Sequence, residues 1–165
     1  MREVKWSEAI RRKYPEPVVL VVSCDLNGKP NVMPAGWSMV TSGSPPMLAV
    51  SIGHTRYTYE LIKKTNEFVL VFPSEKMKEL IDPLGSCSGR DVDKFAEYNI
   101  ETIKSKYVKP PLMKDSVACF ECKVAGELVT GDHTIFAGEV LASYISDKYK
   151  YRLYNFSGKY ETIPW

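Results

Sequence analysis

Ser51-Ile-Gly-His-Thr-Arg56, with Thr58 just beyond, gathers hydroxyls, a guanidinium and backbone N–H groups into one short stretch. An anion such as a phosphate needs that set: amides at a helix start, hydroxyl donors, and a planar cation able to bond two oxygens. Upstream, Val32-Met-Pro-Ala-Gly-Trp-Ser-Met-Val40 is an apolar run broken by Gly36 and Ser38, with Trp37 between them. Glycine weakens a strand and often marks a close approach of backbone to a ligand. The indole beside it either packs in the core or walls a pocket. Asn31, at the turn before this run, offers both a donor and an acceptor, or it serves the turn alone. Together the segments suit a flat, partly apolar ligand with one anionic end.

Two later segments add polar groups. Gly85-Ser-Cys-Ser-Gly-Arg-Asp-Val-Asp-Lys94 is a glycine- and serine-rich loop that feeds a short helix. A lysine in a first helical turn is unfavourable unless an anion or a nearby acid offsets it, and Asp91 and Asp93 could serve instead of a ligand. Cys87 in this loop is a candidate thiol. His133 follows Gly131-Asp132 at a turn, where its ring could donate a proton near neutral pH or do nothing. With two histidines in the chain and no carboxylate cluster beside them, no metal site is expected. Cys119-Phe-Glu-Cys122 lies in a segment that alternates like a strand, so its thiols point to opposite faces and read as structural.

These residues need strands to hold them. Pro17–Cys24, Asn31–Val40, Met47–Ile52, Glu67–Phe72, Ser116–Thr130, Thr134–Ser146 and Tyr151–Phe156 read as strands from their β-branched and alternating patterns. Asn27-Gly28 marks a hairpin turn. Thr55–Lys64 reads as a helix capped by Thr55 and stopped by Asn66. Shorter helices are expected over Ser7–Arg12, Ser74–Ile81 and, capped by Asp91, Asp91–Glu97. Many strands with few short helices indicate an antiparallel barrel or sandwich rather than a parallel α/β sheet. No G-x-G-x-x-G and no Walker A sequence occurs, so any nucleotide is held without the usual parallel-sheet phosphate loop.

The bulk properties narrow the classes. The chain has 165 residues, which suits a single domain spanning 1–165. Hydrophobic residues at 44% and charged residues at 25% exclude a disordered chain. A net charge of +2 makes no global basic field, so nucleic acid is not the expected partner. No stretch is long and apolar enough for a membrane span, and no apolar signal core follows the charged N-terminus, so a cytoplasmic location is expected. Four cysteines in such a chain are expected to be free thiols.

In order along the chain, Pro17-Val18, Gly28-x-x-Asn31, Gly36-Trp37-Ser38, Pro45-Pro46, Ser51-Ile52 and Arg56-x-Thr58 form the first half of a series. Glu67-Phe-Val, Ser88-Gly-Arg-Asp-x-Asp-Lys-Phe95, Glu121-Cys122 and Gly131-Asp-His-x-Ile-Phe-x-Gly-Glu-Val140 complete it. The series resembles the flavin reductase-like family of FMN-binding split barrels, over nearly the whole chain. Any one motif is weak and their order is specific.

The resemblance implies a mainly β, Greek-key split β-barrel with a few short helices, forming a homodimer with FMN near the subunit interface. It places Asn31, Trp37, Thr58, Lys94 and His133 at flavin-contact positions and the backbone of Gly36, Trp37, Ser38 and Met39 at the ring edge. Ser51, with Ile52 beside it, Arg56 and Thr58 fall around the phosphate, and Trp165 falls where relatives carry an aromatic. His133 is the candidate contact on the open face of the ring. The implied activity is an NAD(P)H-dependent flavin or ferric-complex oxidoreductase. A flavoredoxin-like carrier reduced by a redox partner protein, or a non-redox ligand-binding barrel, are the competing readings.

Overall fold

The computed structural model describes residues 1–164; Trp165 lies outside the described residues. The chain opens with helix α1 (Trp6–Ala9) and a 3-10 turn (Ile10–Lys13), then strands β1 (Glu16–Pro17), β2 (Val19–Cys24), β3 (Pro30–Ala35), β4 (Ser38–Gly43) and β5 (Pro46–Gly53). Helix α2 (Tyr57–Thr65) leads to β6 (Glu67–Pro73), a 3-10 segment (Glu75–Leu80), α3 (Ile81–Ser86) and α4 (Lys94–Glu97). The small strands β7 (Thr102–Ile103) and β8 (Leu112–Met113) precede the long ribbon β9 (Ser116–Thr130) and β10 (His133–Ile145). Strands β11 (Tyr151–Asn155) and β12 (Tyr160–Pro164) follow.

Strand β2 shows why this sequence makes a sheet covered on both sides. Its β-branched residues are all buried, and because successive side chains point to opposite faces they feed two separate cores. Leu20 and Val22 join Val69, Val71 and the helical residues Met77, Ile81, Leu84 and Phe95 on one face. Val19 and Val21 join Phe68, Leu70, Leu48, Val50, Ile52 and Phe136 on the other. The main sheet is antiparallel in the order β3-β2-β6-β9-β10-β5-β4, so β2 and β5 are four places apart. Their side chains nevertheless share one cluster, which requires the sheet to curl around it. The ends of the curl are tied by sequence: β3 stops at Ala35 and β4 starts at Ser38, on opposite edges of the order. Only Gly36 and Trp37 join them, so these edges meet at that corner. Among the described residues no ladder pairs β3 with β4, and the sheet is curled but open.

That corner corrects the expectation of one strand over Asn31–Val40. Ser38 donates its N–H back to Gly36 O at 3.1 Å, a three-residue turn that reverses the chain where glycine had interrupted the apolar run. The helix boundaries also shift. Helix α2 begins at Tyr57 after an extended Arg56, without a side-chain cap from Thr55, while Asn66 takes the expected left-handed stop (φ 56°). Asp93, not Asp91, caps α4 by accepting from Ala96 N–H at 3.2 Å. The segment expected to be helical over Ser74–Ile81 is 3-10, and α3 carries the helix on through Gly85-Ser86, expected as loop. Strand β12 was not anticipated. It pairs with β11, which pairs with β1, in a separate three-stranded sheet.

Candidate functional site

Strand β3, the end of β5, the start of α2 and the loop between α3 and α4 surround a cavity of about 410 Å³. Asn31, first inward position after the hairpin turn, is 4% exposed and donates from Nδ2 to Thr58 Oγ1 at 2.9 Å. Its Oδ1 is buried and accepts no hydrogen bond. A buried amide oxygen without a donor costs about 1–3 kcal/mol, so this atom is placed for a partner that the described residues do not supply. Gly89 passes directly over it. A Cβ at Gly89 would come within 2.8 Å of Asn31 Cγ, so only glycine lets this loop close down.

Lys94 enters from the first position of α4 and is 3% exposed. Its ammonium donates to Leu84 O at 2.6 Å and Val32 O at 2.9 Å, which fixes α4 against α3 and β3. Burial holds its pKa below the ordinary lysine value, and the nearby Arg56 guanidinium pulls in the same direction. Arg90 closes the loop from outside: it pairs with Glu60, lies 5.2 Å from the Tyr57 ring centroid and donates to Thr55 O at 3.4 Å. Among the described residues the lining therefore carries Arg56, Arg90 and Lys94 and no carboxylate. Taken with Ser51, Thr55 and Ser88, it is a donor-rich, cationic cavity suited to an anion.

Trp37 forms a wall between this cavity and a second one. Its ring lies 4.8 Å from the His133 ring at 39°, and Lys13 Nζ sits 5.3 Å from the indole centroid. The Glu16 carboxylate rests against Gly36, where a Cβ would lie 2.6 Å away, and pairs with Lys13. His133 Nδ1 contacts Asp132 Oδ1 at 2.7 Å, and His133 holds the Asp132 carboxyl below its usual range.

Asn31, Gly36, Trp37, Ser51, Arg56, Thr58, Lys94 and His133 thus line one cavity, although they come from segments far apart in sequence. Ser38 and Met39 line the adjoining cavity instead. Ile52 is fully buried in the inner core and lines neither. Trp165 is outside the described residues. Cys87 lines the first cavity, with its thiol 3.4 Å from Pro83 O and 3.8 Å from Tyr98 Oη. Cys119 and Cys122 fall in opposite core clusters, as strand alternation requires, and burial pushes Cys122 up to about 12. Sequence reasoning missed the roles of Gly89, Arg90 and Glu16. The Ser88-Gly89-Arg90 motif was the visible signal for the first two. Nothing in the sequence showed that Glu16 would lie on Gly36.

A family model described as "Flavin reductase like domain" matches residues 10–164. A protein of Archaeoglobus fulgidus is 41% identical over 137 residues, covering 83% of this chain and 76% of its own. Flavoredoxin from Methanosarcina acetivorans is 29% identical with a TM-score of 0.81, over 92% of this chain and 87% of that one. An FMN-binding protein from Thermus thermophilus, solved with bound 1-Cyclohex-2-enone, is 26% identical with a TM-score of 0.87, over 99% and 96%.

Proposed function

The chain belongs to the flavin reductase-like family, and on that premise we propose that it binds FMN and acts as an NAD(P)H-dependent oxidoreductase toward a flavin or ferric complex. The observation that carries the reading is the cavity's donor set: three cations, no carboxylate, and the buried Asn31 Oδ1 that accepts no bond. FMN supplies what the set lacks, a phosphate for Arg56 and its neighbours and N–H or hydroxyl donors for Asn31. The cavity volume is in the ordinary range for a small-molecule site. When bound, FMN supplies the hydride and electron chemistry.

The chain's residues bind and orient. Arg56, Ser51 and Thr58 hold the phosphate, with the amides at the start of α2 assisting. Lys94 and Asn31 fix the polar edge of the ligand, and Gly36–Trp37 shields one side from water. His133 presents a ring nitrogen at the open face, with Asp132 holding its Nδ1. The reading includes a split-barrel domain and a homodimer. Exposed Met39 and Leu128, which the β4-β5-β10-β9 register places on one face of the sheet, support a covered face there.

Likeness to flavoredoxin supports a second reading, an electron carrier reduced by a partner protein. Absorbance of the purified protein and its uptake of added FMN test the cofactor; a chain that stays colourless with excess FMN sinks both readings. Rapid mixing of the holoprotein with NADH and NADPH separates them, since bleaching by either nucleotide favours the reductase and bleaching by neither favours the carrier.

A further inference from the structure

The loop over residues 87–93, between α3 and α4, is fastened to the start of α2 by one side chain. Arg90 pairs with Glu60, lies 5.2 Å from the Tyr57 ring centroid and donates to Thr55 O at 3.4 Å. All three partners stand in or just before the first turns of α2, on either side of Arg56, so the guanidinium crosses from loop to helix beside Arg56. Behind it the loop is tied to itself. Ser88 Oγ accepts from Arg90 N–H at 3.2 Å, and Ser88 O accepts from the N–H groups of Asp91 and Val92 at 3.1 Å each. Gly89 brings backbone against the same ring, where a Cβ would lie 3.1 Å from Tyr57 Cδ1. Arg90, Tyr57 and Thr55 line the cavity, and Glu60 stands outside the lining. A strap therefore walls the cavity where it meets the donors of α2.

The charges at this end are unequal. Arg56 forms no ion pair among the described residues, whereas Arg90 is neutralised by Glu60, one helical turn beyond Arg56. A ligand that ends in one phosphate suits this arrangement, since Arg56 serves it and nothing continues past the strap. In a dinucleotide the chain runs on through a second phosphate, a ribose and a base. That extension has to pull Arg90 off its three partners, and its second phosphate then meets the Glu60 carboxylate, a like charge.

We propose that the Arg90 strap is the specificity determinant of the flavin site, admitting a mononucleotide and turning away FAD. The proposal rests on the FMN reading for the place of the phosphate at Arg56. Glu60 acts through Arg90 as a positioning residue.

Calorimetric titration of the full chain with FMN, FAD and riboflavin tests it. Wild type should bind FMN at least about tenfold more tightly than FAD. An exposed ion pair alone shifts an equilibrium by about fivefold at most, so Glu60→Gln should narrow the gap by about two- to fivefold. Arg90→Ala also removes the ring contact and the carbonyl bond and should nearly close it, through tighter FAD binding. The double variant should go no further than Arg90→Ala, because both changes break one strap. Riboflavin, which has no phosphate to extend, should bind all four proteins alike and reports on folding. An unchanged FMN-to-FAD ratio in both single variants overturns the proposal, as do equal losses for all three ligands. A gap that closes through weaker FMN binding, with riboflavin spared, makes Arg90 a phosphate ligand and also overturns it. Wild type that binds FMN and FAD equally defeats this inference alone, and a chain that takes up no flavin defeats the cofactor reading and the inference with it.

Discussion

Arg56 and Asn31 hold opposite kinds of information. Arg56 was visible because a cation, two threonines and a helix start stand together in sequence, and chemistry that local needs no fold to be seen. Arg56→Ala should weaken FMN binding by about 1.5–3 kcal/mol while leaving riboflavin binding nearly unchanged, since only FMN carries the phosphate. Titration of both ligands checks it, and equal losses would remove Arg56 from the phosphate. Asn31 could not be resolved between turn and site, because its environment depends on Thr58 and Gly89, which only folding brings to it. Gly89→Ala should drive the Asn31 amide out of place and weaken FMN binding by about 1–3 kcal/mol, the scale of one displaced buried hydrogen-bonding group. Far-ultraviolet circular dichroism should stay unchanged. Full-strength FMN binding by that variant would show that the ligand does not use Asn31.

Among the elements, the β9–β10 ribbon does most to organise the fold, since β6 and β5 pair onto its two sides. Its length was legible from the alternation, and the observed bounds of β9 match the sequence reading. Glu121 at its middle was legible only as a motif residue. Fully buried, it accepts from the N–H groups of Lys106, Tyr107 and Val108 at 2.8, 2.6 and 3.0 Å and from Tyr144 Oη at 2.6 Å, pinning the irregular 105–108 segment to the sheet. Burial acts to raise its pKa, but the hydrogen bonds outweigh that and hold it below the ordinary glutamate value; the Tyr144 phenol is pushed up to about 12. A carboxylate with a depressed folded pKa adds stability above its unfolded pKa of about 4.3 and loses it as pH falls through the folded value. Glu121→Gln should therefore cost at least about 1.5–3 kcal/mol at neutral pH, with a smaller difference from wild type in acid. Urea unfolding at both pH values measures it, and a pH-independent difference would point to packing instead of charge.

For the whole molecule, the curl of the main sheet decides where the site is. Among the described residues no helix is long and apolar enough to cross a membrane. On the β4-β5-β10-β9 end, Met39 and Leu128 share one face of the sheet and are 54% and 62% exposed. The homodimer proposed for that face predicts a two-chain mass by sedimentation, and Met39→Asp with Leu128→Asp should yield single chains, because two buried unpaired carboxylates oppose association. A wild-type monomer would refute it. By itself the sequence determined the β-rich class, the long ribbon, the Asn66 helix stop and the phosphate-type donors after β5, because periodicity and capping act within a few residues of the chain. Only the tertiary structure decided that Val32–Val40 is two strands on opposite edges. It alone set Lys94 against Val32 and Leu84, aimed Asn31 Oδ1 into a cavity and laid Glu16 on Gly36. Those outcomes depend on which surfaces a curled sheet brings together, and such long-range contacts leave no mark in local spacing.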